Sequence, residues 1–115
     1  MIITLSPSGA SPVDQVSDQI RGLVTTGQLA SGERLPSVRQ LASDLGLAPG
    51  TVAKAYKGLE AEGVLETRTG SGTRVARTAS ASARPVVEAA RRLAAASQRE
   101  GTDLDEAIRV LRAIW

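Results

Sequence analysis

The stretch RTGSGTRV, Arg68 to Val75, sets a Gly-x-Gly between two arginines. Glycine lets a backbone come close to a phosphate, and guanidinium forks pair with phosphate oxygens. The chemistry on offer is phosphate recognition, in a nucleotide pocket or along a nucleic-acid backbone. A P-loop needs G-x-x-x-x-G-K-[ST] opening a helix, and a dinucleotide fingerprint needs a third glycine before a helix. Neither pattern is met, because no such lysine follows and TRVA reads as a strand. Gly70 and Gly72 are expected to supply positive φ in a hairpin turn. A thin tip of that kind, with Arg68 and Arg74 at its base, fits a DNA minor groove.

Other chemistries have little to work with. The 115 residues include no Cys and no His, which removes thiolate nucleophiles, disulfides, Cys/His zinc sites and imidazole catalysis. Asp103, Asp105 and Glu106 form an acidic cluster, but at the start of a helix they serve as caps and dipole partners. No enzyme activity, cofactor or metal is expected. The formal net charge of +2 is too small to establish a polyanionic partner, so its distribution matters more. Residues 34–77 hold seven basic side chains (Arg34, Arg39, Lys54, Lys57, Arg68, Arg74, Arg77) against four acidic ones (Asp44, Glu60, Glu62, Glu66). A solvated charged face would give the same count.

The elements that must position these residues are legible from periodicity. IITL, Ile2 to Leu5, reads as a short strand. Val13, Val16, Ile20, Leu23 and Val24 fall at helical intervals over about 12–26, with Ser11 to cap, Pro12 at the first position and Gly27 to end the helix. Leu35 reads as core within a loop. Ser37 opens a second helix whose SVRQ has the capping-box form, with Val38, Leu41, Ala42 and Leu45 inward and Gly46 as the stop. A third helix starts near Pro49, buries Val52, Ala55, Tyr56 and Leu59, and stops at Gly63. Lys54 and Lys57 lie off that stripe. VLETR and TRVA, joined by TGSG, form the hairpin. RTASASARP is a linker, followed by two amphipathic helices broken at Gly101, the second capped from Thr102 or Asp103. The order of elements predicts a mostly α fold with a small β-hairpin: a winged helix-turn-helix over residues 1–77, a linker over 78–83 and a two-helix element over 84–115.

Taken with the motifs G..LPS.R.LA, TV.KAY..LE..G and R.G.GT.V, the segment from Pro12 to Val75 resembles the GntR family of bacterial transcription regulators. The short tail is similar to the YtrA-type subfamily, where a small two-helix dimerisation element follows the winged domain. The resemblance implies a sequence-specific DNA-binding regulator, often a local repressor, acting as a homodimer on an inverted-repeat operator in double-stranded DNA. Carried over by position, it implies that Arg39 reaches a guanine edge or a phosphate. Ser37 caps its helix and donates to a phosphate. Thr51 and Lys54 lie on the exposed side of the recognition helix, and Thr69, Gly70 and Ser71 form the wing tip. Arg34, Arg68 and Arg74 complete the expected DNA set. The Ala48-Pro49-Gly50 turn departs from relatives that place Asn or Arg there. Pro49 and Gly50 offer no side-chain donor to a base edge, which leaves Pro49 or Thr51 to touch a thymine methyl. As an alternative, Thr51 is a local first-turn cap.

The tail supplies the dimer expectation. Segments below ~40 residues rarely build a core alone, so Leu93, Leu104, Ile108, Leu111 and Trp115 need a partner. That partner is a second chain or, as the alternative, the first helix of the same chain. A winged-helix module that binds protein rather than DNA is the competing function. A small-molecule effector is allowed by the family, although no polar cluster marks a site for one. The first ten residues lack a basic n-region and a long apolar run, and no stretch approaches the ~20 apolar residues of a membrane span. A cytoplasmic protein with no membrane partner is therefore expected.

Overall fold

The computed structural model describes residues 1–7 and 9–115. Its elements are α1 (Pro12–Thr25), α2 (Val38–Leu45), α3 (Pro49–Ala61), β1 (Leu65–Arg68), β2 (Gly72–Val75), α4 (Arg84–Arg99) and α5 (Leu104–Ile114). They fall into two compact units, Met1–Ala81 and Ser82–Trp115. No helix among the described residues is long and apolar enough to cross a membrane.

The first unit is built on aliphatic stripes. Val16, Ile20 and Val24 of α1 meet Leu41 and Ala42 of α2 and Val52, Ala55, Tyr56 and Leu59 of α3 in one core. Leu65 and Val75, paired across the hairpin, close it from the wing side. Each large aliphatic side chain so buried contributes about 1.5–3 kcal/mol. The helix ends follow local chemistry. Ser11 Oγ accepts from the Asp14 N–H at 3.1 Å, and Pro12 occupies the first turn of α1. Gly46 ends α2 in the left-handed region at φ +67°.

Two expectations are corrected. Residues 2–5 form no strand. The chain there is held by side-chain amides of α1. The Thr4 N–H donates to Gln19 Oε1 at 2.9 Å and Gln19 Nε2 donates back to the Thr4 carbonyl at 2.7 Å. Gln15 does the same for Ser6, at 2.9 and 3.0 Å. Residues four apart on a helix rise about 6 Å, close to the two-residue repeat of an extended chain, so two glutamines replace a neighbouring strand. The capping box of α2 is only half made. Ser37 Oγ accepts from the Gln40 N–H at 3.1 Å, but the Gln40 amide turns to Asp44 Oδ1 at 2.8 Å.

Gly22 in α1 and Gly58 in α3 stand mid-helix, and a Cβ added at either would meet nothing within 4 Å. Glycine there costs about 0.5–1 kcal/mol relative to alanine. Gly22→Ala and Gly58→Ala should each raise stability by about that amount, as denaturant unfolding would read. A loss at either site would mean that the helix needs the glycine.

In the second unit α4 packs against α5, and α5 is capped by Asp103, whose Oδ1 accepts from the Glu106 N–H at 2.8 Å. Ala107 is its one buried residue. Leu93, Leu104, Ile108 and Leu111 line an open apolar groove of about 290 Å³. Trp115, beyond the end of α5, is 97% exposed.

Candidate nucleic-acid interface

The wing is wider than the hairpin alone. β1 and β2 pair antiparallel, with Glu66 opposite Arg74 and Arg68 opposite Gly72. The chain before α2 joins the other edge of β2 through an isolated β-bridge. The Leu35 N–H donates to the Thr73 carbonyl and the Val75 N–H to the Glu33 carbonyl, both at 2.8 Å, which places Arg34 opposite Arg74. Residues directly opposite share a face of a sheet, as do residues two apart along a strand. Arg34, Arg74, Glu66, Arg68 and Gly72 therefore occupy one face. Leu35, Leu65 and Val75 occupy the other, against the core.

That outer face carries three arginines and one carboxylate, and only Arg68 reaches the carboxylate. Arg68 pairs loosely with Glu66 at 3.7 Å. Arg74 Nη1 donates to the Gly32 carbonyl at 3.3 Å. The Arg34 guanidinium lies 3.2 Å from the point where a Cβ on Gly72 would stand, so a side chain there would push it aside by a few tenths of an ångström. Like charges set directly opposite across a sheet are destabilising. Arg34 and Arg74, opposite in register, turn their guanidinium groups apart, toward Gly72 and Gly32 respectively. At the tip, Gly70 and Gly72 adopt φ of +82° and +73°, as the turn requires, and Thr69 and Gly70 are exposed beside a half-buried Ser71.

The helix-turn-helix presents the remaining positions. Ser37 and Arg39 are exposed at the start of α2. Pro49 and Gly50 open α3, whose N-cap, Ala48, makes no side-chain cap hydrogen bond, and Thr51 is half-buried in the first turn. Lys54 and Lys57 are exposed. They border a shallow groove shared with Asp14 and Asp18 of α1 and with Glu62, so nearby carboxylates offset their field. Arg21 is committed elsewhere, donating to both Glu62 oxygens at 2.8 and 2.9 Å and to Asp18 at 2.7 Å. The hydrogen bond to Glu62 raises its pKa, against a smaller opposing effect of burial.

Thus the structure joins Arg34, Arg68 and Arg74 on one wing face and places Ser37 with Arg39 at one helix start. It sets Lys54 apart from these, toward α1. Composition and periodicity do not reveal the bridge from Arg34 to Arg74, and the only signal near it is the buried Leu35.

Tyr56, the sole tyrosine, is buried on α3, and its hydroxyl donates to the Pro36 carbonyl at 2.7 Å. Burial pushes its pKa up from 10.0 to about 12. The folded state holds this proton more tightly than the unfolded state. The associated stability is complete below pH ~10 and is lost as pH rises through the folded value, by at most ~1.4 kcal/mol per pH unit. An absorbance titration of the native protein should show one phenol ionising near pH 12. Ionisation at its ordinary value would mean that the ring is open to water.

Three helices, a helix-turn-helix and a β-wing make this a winged helix-turn-helix protein with a helical tail. Residues 12–75 match the model for bacterial regulatory proteins of the gntR family, and the chain belongs to that family. It is 40% identical over 79 residues to the HTH-type transcriptional repressor YtrA of Bacillus subtilis (strain 168), a match covering 68% of this chain and 61% of that one. YtrA from Sulfolobus acidocaldarius, a GntR-family transcription factor of solved structure, superposes with a TM-score of 0.62 at 35% identity, over 84% of this chain and all of that one. These two matches support the YtrA-type branch. The DNA-binding domain of AraR in complex with operator ORX1 superposes with a TM-score of 0.57 at 25% identity, over 64% of this chain and 93% of that one. The match spans about three-fifths of the length of the Bacillus relative.

Proposed function

We propose that the protein is a sequence-specific DNA-binding transcriptional regulator, a repressor that acts as a homodimer on an inverted-repeat operator. The observation that carries this reading is the outer wing face, where the register sets three arginines, Arg34, Arg68 and Arg74, beside a single carboxylate, Glu66. A phosphate backbone is the anion that suits such a row, and guanidinium is the group that grips it in a fixed orientation. Arg39 reads a base edge from the start of α2, and the Gly70 tip enters the minor groove. The repressor sense follows the Bacillus relative's designation. The exposed apolar surface of α4 and α5 pairs two chains about a two-fold axis, which sets two recognition helices on one DNA face. The protein acts in the cytoplasm, and a small-molecule effector is compatible with the family.

Selection of bound fragments from the source genome, at near-physiological salt, tests the proposal. Enrichment of an inverted repeat is expected. Neutralising ~6 phosphates should also give a log–log salt slope near −5. One observation favours a protein-binding module instead: α3 opens on Pro49 and Gly50, and its lysines share a groove with carboxylates. A folded dimer that enriches no sequence and shows a flat salt response would establish that second reading.

A further inference from the structure

Pro36 is a junction of all three surfaces assigned to DNA. The residue before it, Leu35, is hydrogen-bonded to the wing through the Thr73 carbonyl at 2.8 Å. The residue after it, Ser37, caps α2 and stands two positions from Arg39. Its own carbonyl accepts from Tyr56 of α3 at 2.7 Å. Proline has a fixed φ and no N–H, so this carbonyl is the only backbone hydrogen-bonding group that Pro36 itself offers. Tyr56 otherwise behaves as a core residue, and a phenylalanine would fill the same volume without the hydroxyl. The chain contains no Phe and this single Tyr, so the one aromatic ring in the core carries a donor aimed at the junction.

We infer that Tyr56 is a positioning residue for DNA recognition: its hydroxyl, through the Pro36 carbonyl, fixes the start of α2 and hence Arg39 relative to the recognition helix. This rests on the regulator reading above. A side chain that reads a base must be held to a fraction of an ångström, and a group that holds it without touching DNA acts on discrimination more than on general affinity.

The test compares Tyr56→Phe, Arg39→Ala and the double variant on the selected operator, on operators changed at each base pair, and on random-sequence duplex. Tyr56→Phe should lose about tenfold on the operator, the upper end of what one hydrogen bond supplies, with random-sequence affinity unchanged. Its lost discrimination should fall on the base pair that Arg39→Ala also affects, and the double variant should be no worse than Arg39→Ala alone. Uniform loss on every duplex, or additive losses, would overturn the inference and leave Tyr56 a packing residue. A wild-type protein that fails to discriminate sequences would instead overturn the regulator reading itself. If Tyr56→Phe does not fold, 3-fluorotyrosine incorporation gives one resonance, from this single site. It should move with the operator and not with the operator changed at the Arg39 base pair; equal movement with both would overturn the inference.

Discussion

Truncated after Ala81, the chain is expected to stay folded, to sediment as a monomer, and to bind a two-half-site operator roughly 10²–10⁴-fold more weakly than the full chain. The first unit carries its own core, from Val16 to Val75, and needs nothing beyond Ala81 to complete it. Ending there rather than at Arg77 keeps Ala79 packed on the core and leaves the Arg77 carbonyl, which accepts from Ser31, a peptide carbonyl rather than a terminal carboxylate. The removed unit is too short for a core of its own. It exposes Leu104 at 74%, Ile114 at 77% and Trp115 at 97%. Left in water, each such side chain forgoes roughly 1.5–3 kcal/mol of burial. A second copy of the same surface is the self-complementary solution. Linking two DNA-binding units raises avidity without adding a contact, so the loss should vanish on a duplex with a single half-site. Trp115 is the only tryptophan, and its fluorescence should shift to the red as the full-length dimer is diluted. A truncated chain that remains dimeric and binds undiminished would place the interface elsewhere.

Helices were legible because their stripes are aliphatic and regular. Val16, Ile20 and Val24 leave no other period open, and Val52, Ala55, Tyr56 and Leu59 are all buried as the pattern required. The wing turn was legible because Gly70 and Gly72 must take positive φ. The bridge from Arg34 to Arg74 was not, because Glu33 and Arg34 carry no β signal and their partners lie far along the chain. At Ile2 to Leu5 the sequence signals extension, but pairing depends on what lies alongside, and here that is Gln15 and Gln19. Extended chain and strand differ only in the partner. The same limit applies to the candidate binding surface. Arg68 and Arg74 were visible as a flank of the wing. Their row with Arg34 and Glu66, and the Tyr56 bond to Pro36, follow from register and packing that no local pattern encodes.

Arg39→Ala should cost specific DNA binding roughly 1–3 kcal/mol per half-site, about 5- to 150-fold, while leaving the fold intact. Arg39 is exposed in the first turn of α2, and no described hydrogen bond or ion pair engages its guanidinium. A cation in that turn opposes the helix dipole, so alanine should leave stability unchanged or higher by a few tenths of a kcal/mol. A residue slightly unfavourable to its own helix is better placed for a ligand than for the fold. The pattern of loss across sequences identifies what the guanidinium grips. Loss confined to one base pair of each half-site assigns it to a base edge. Equal loss on every duplex, with the salt slope reduced by about one per contact, assigns it to a phosphate. The second result would carry a further consequence, because Pro49 and Gly50 bring no side-chain donor to the start of α3. Discrimination would then fall to the wing, to Lys54, and to the energy of deforming the operator itself.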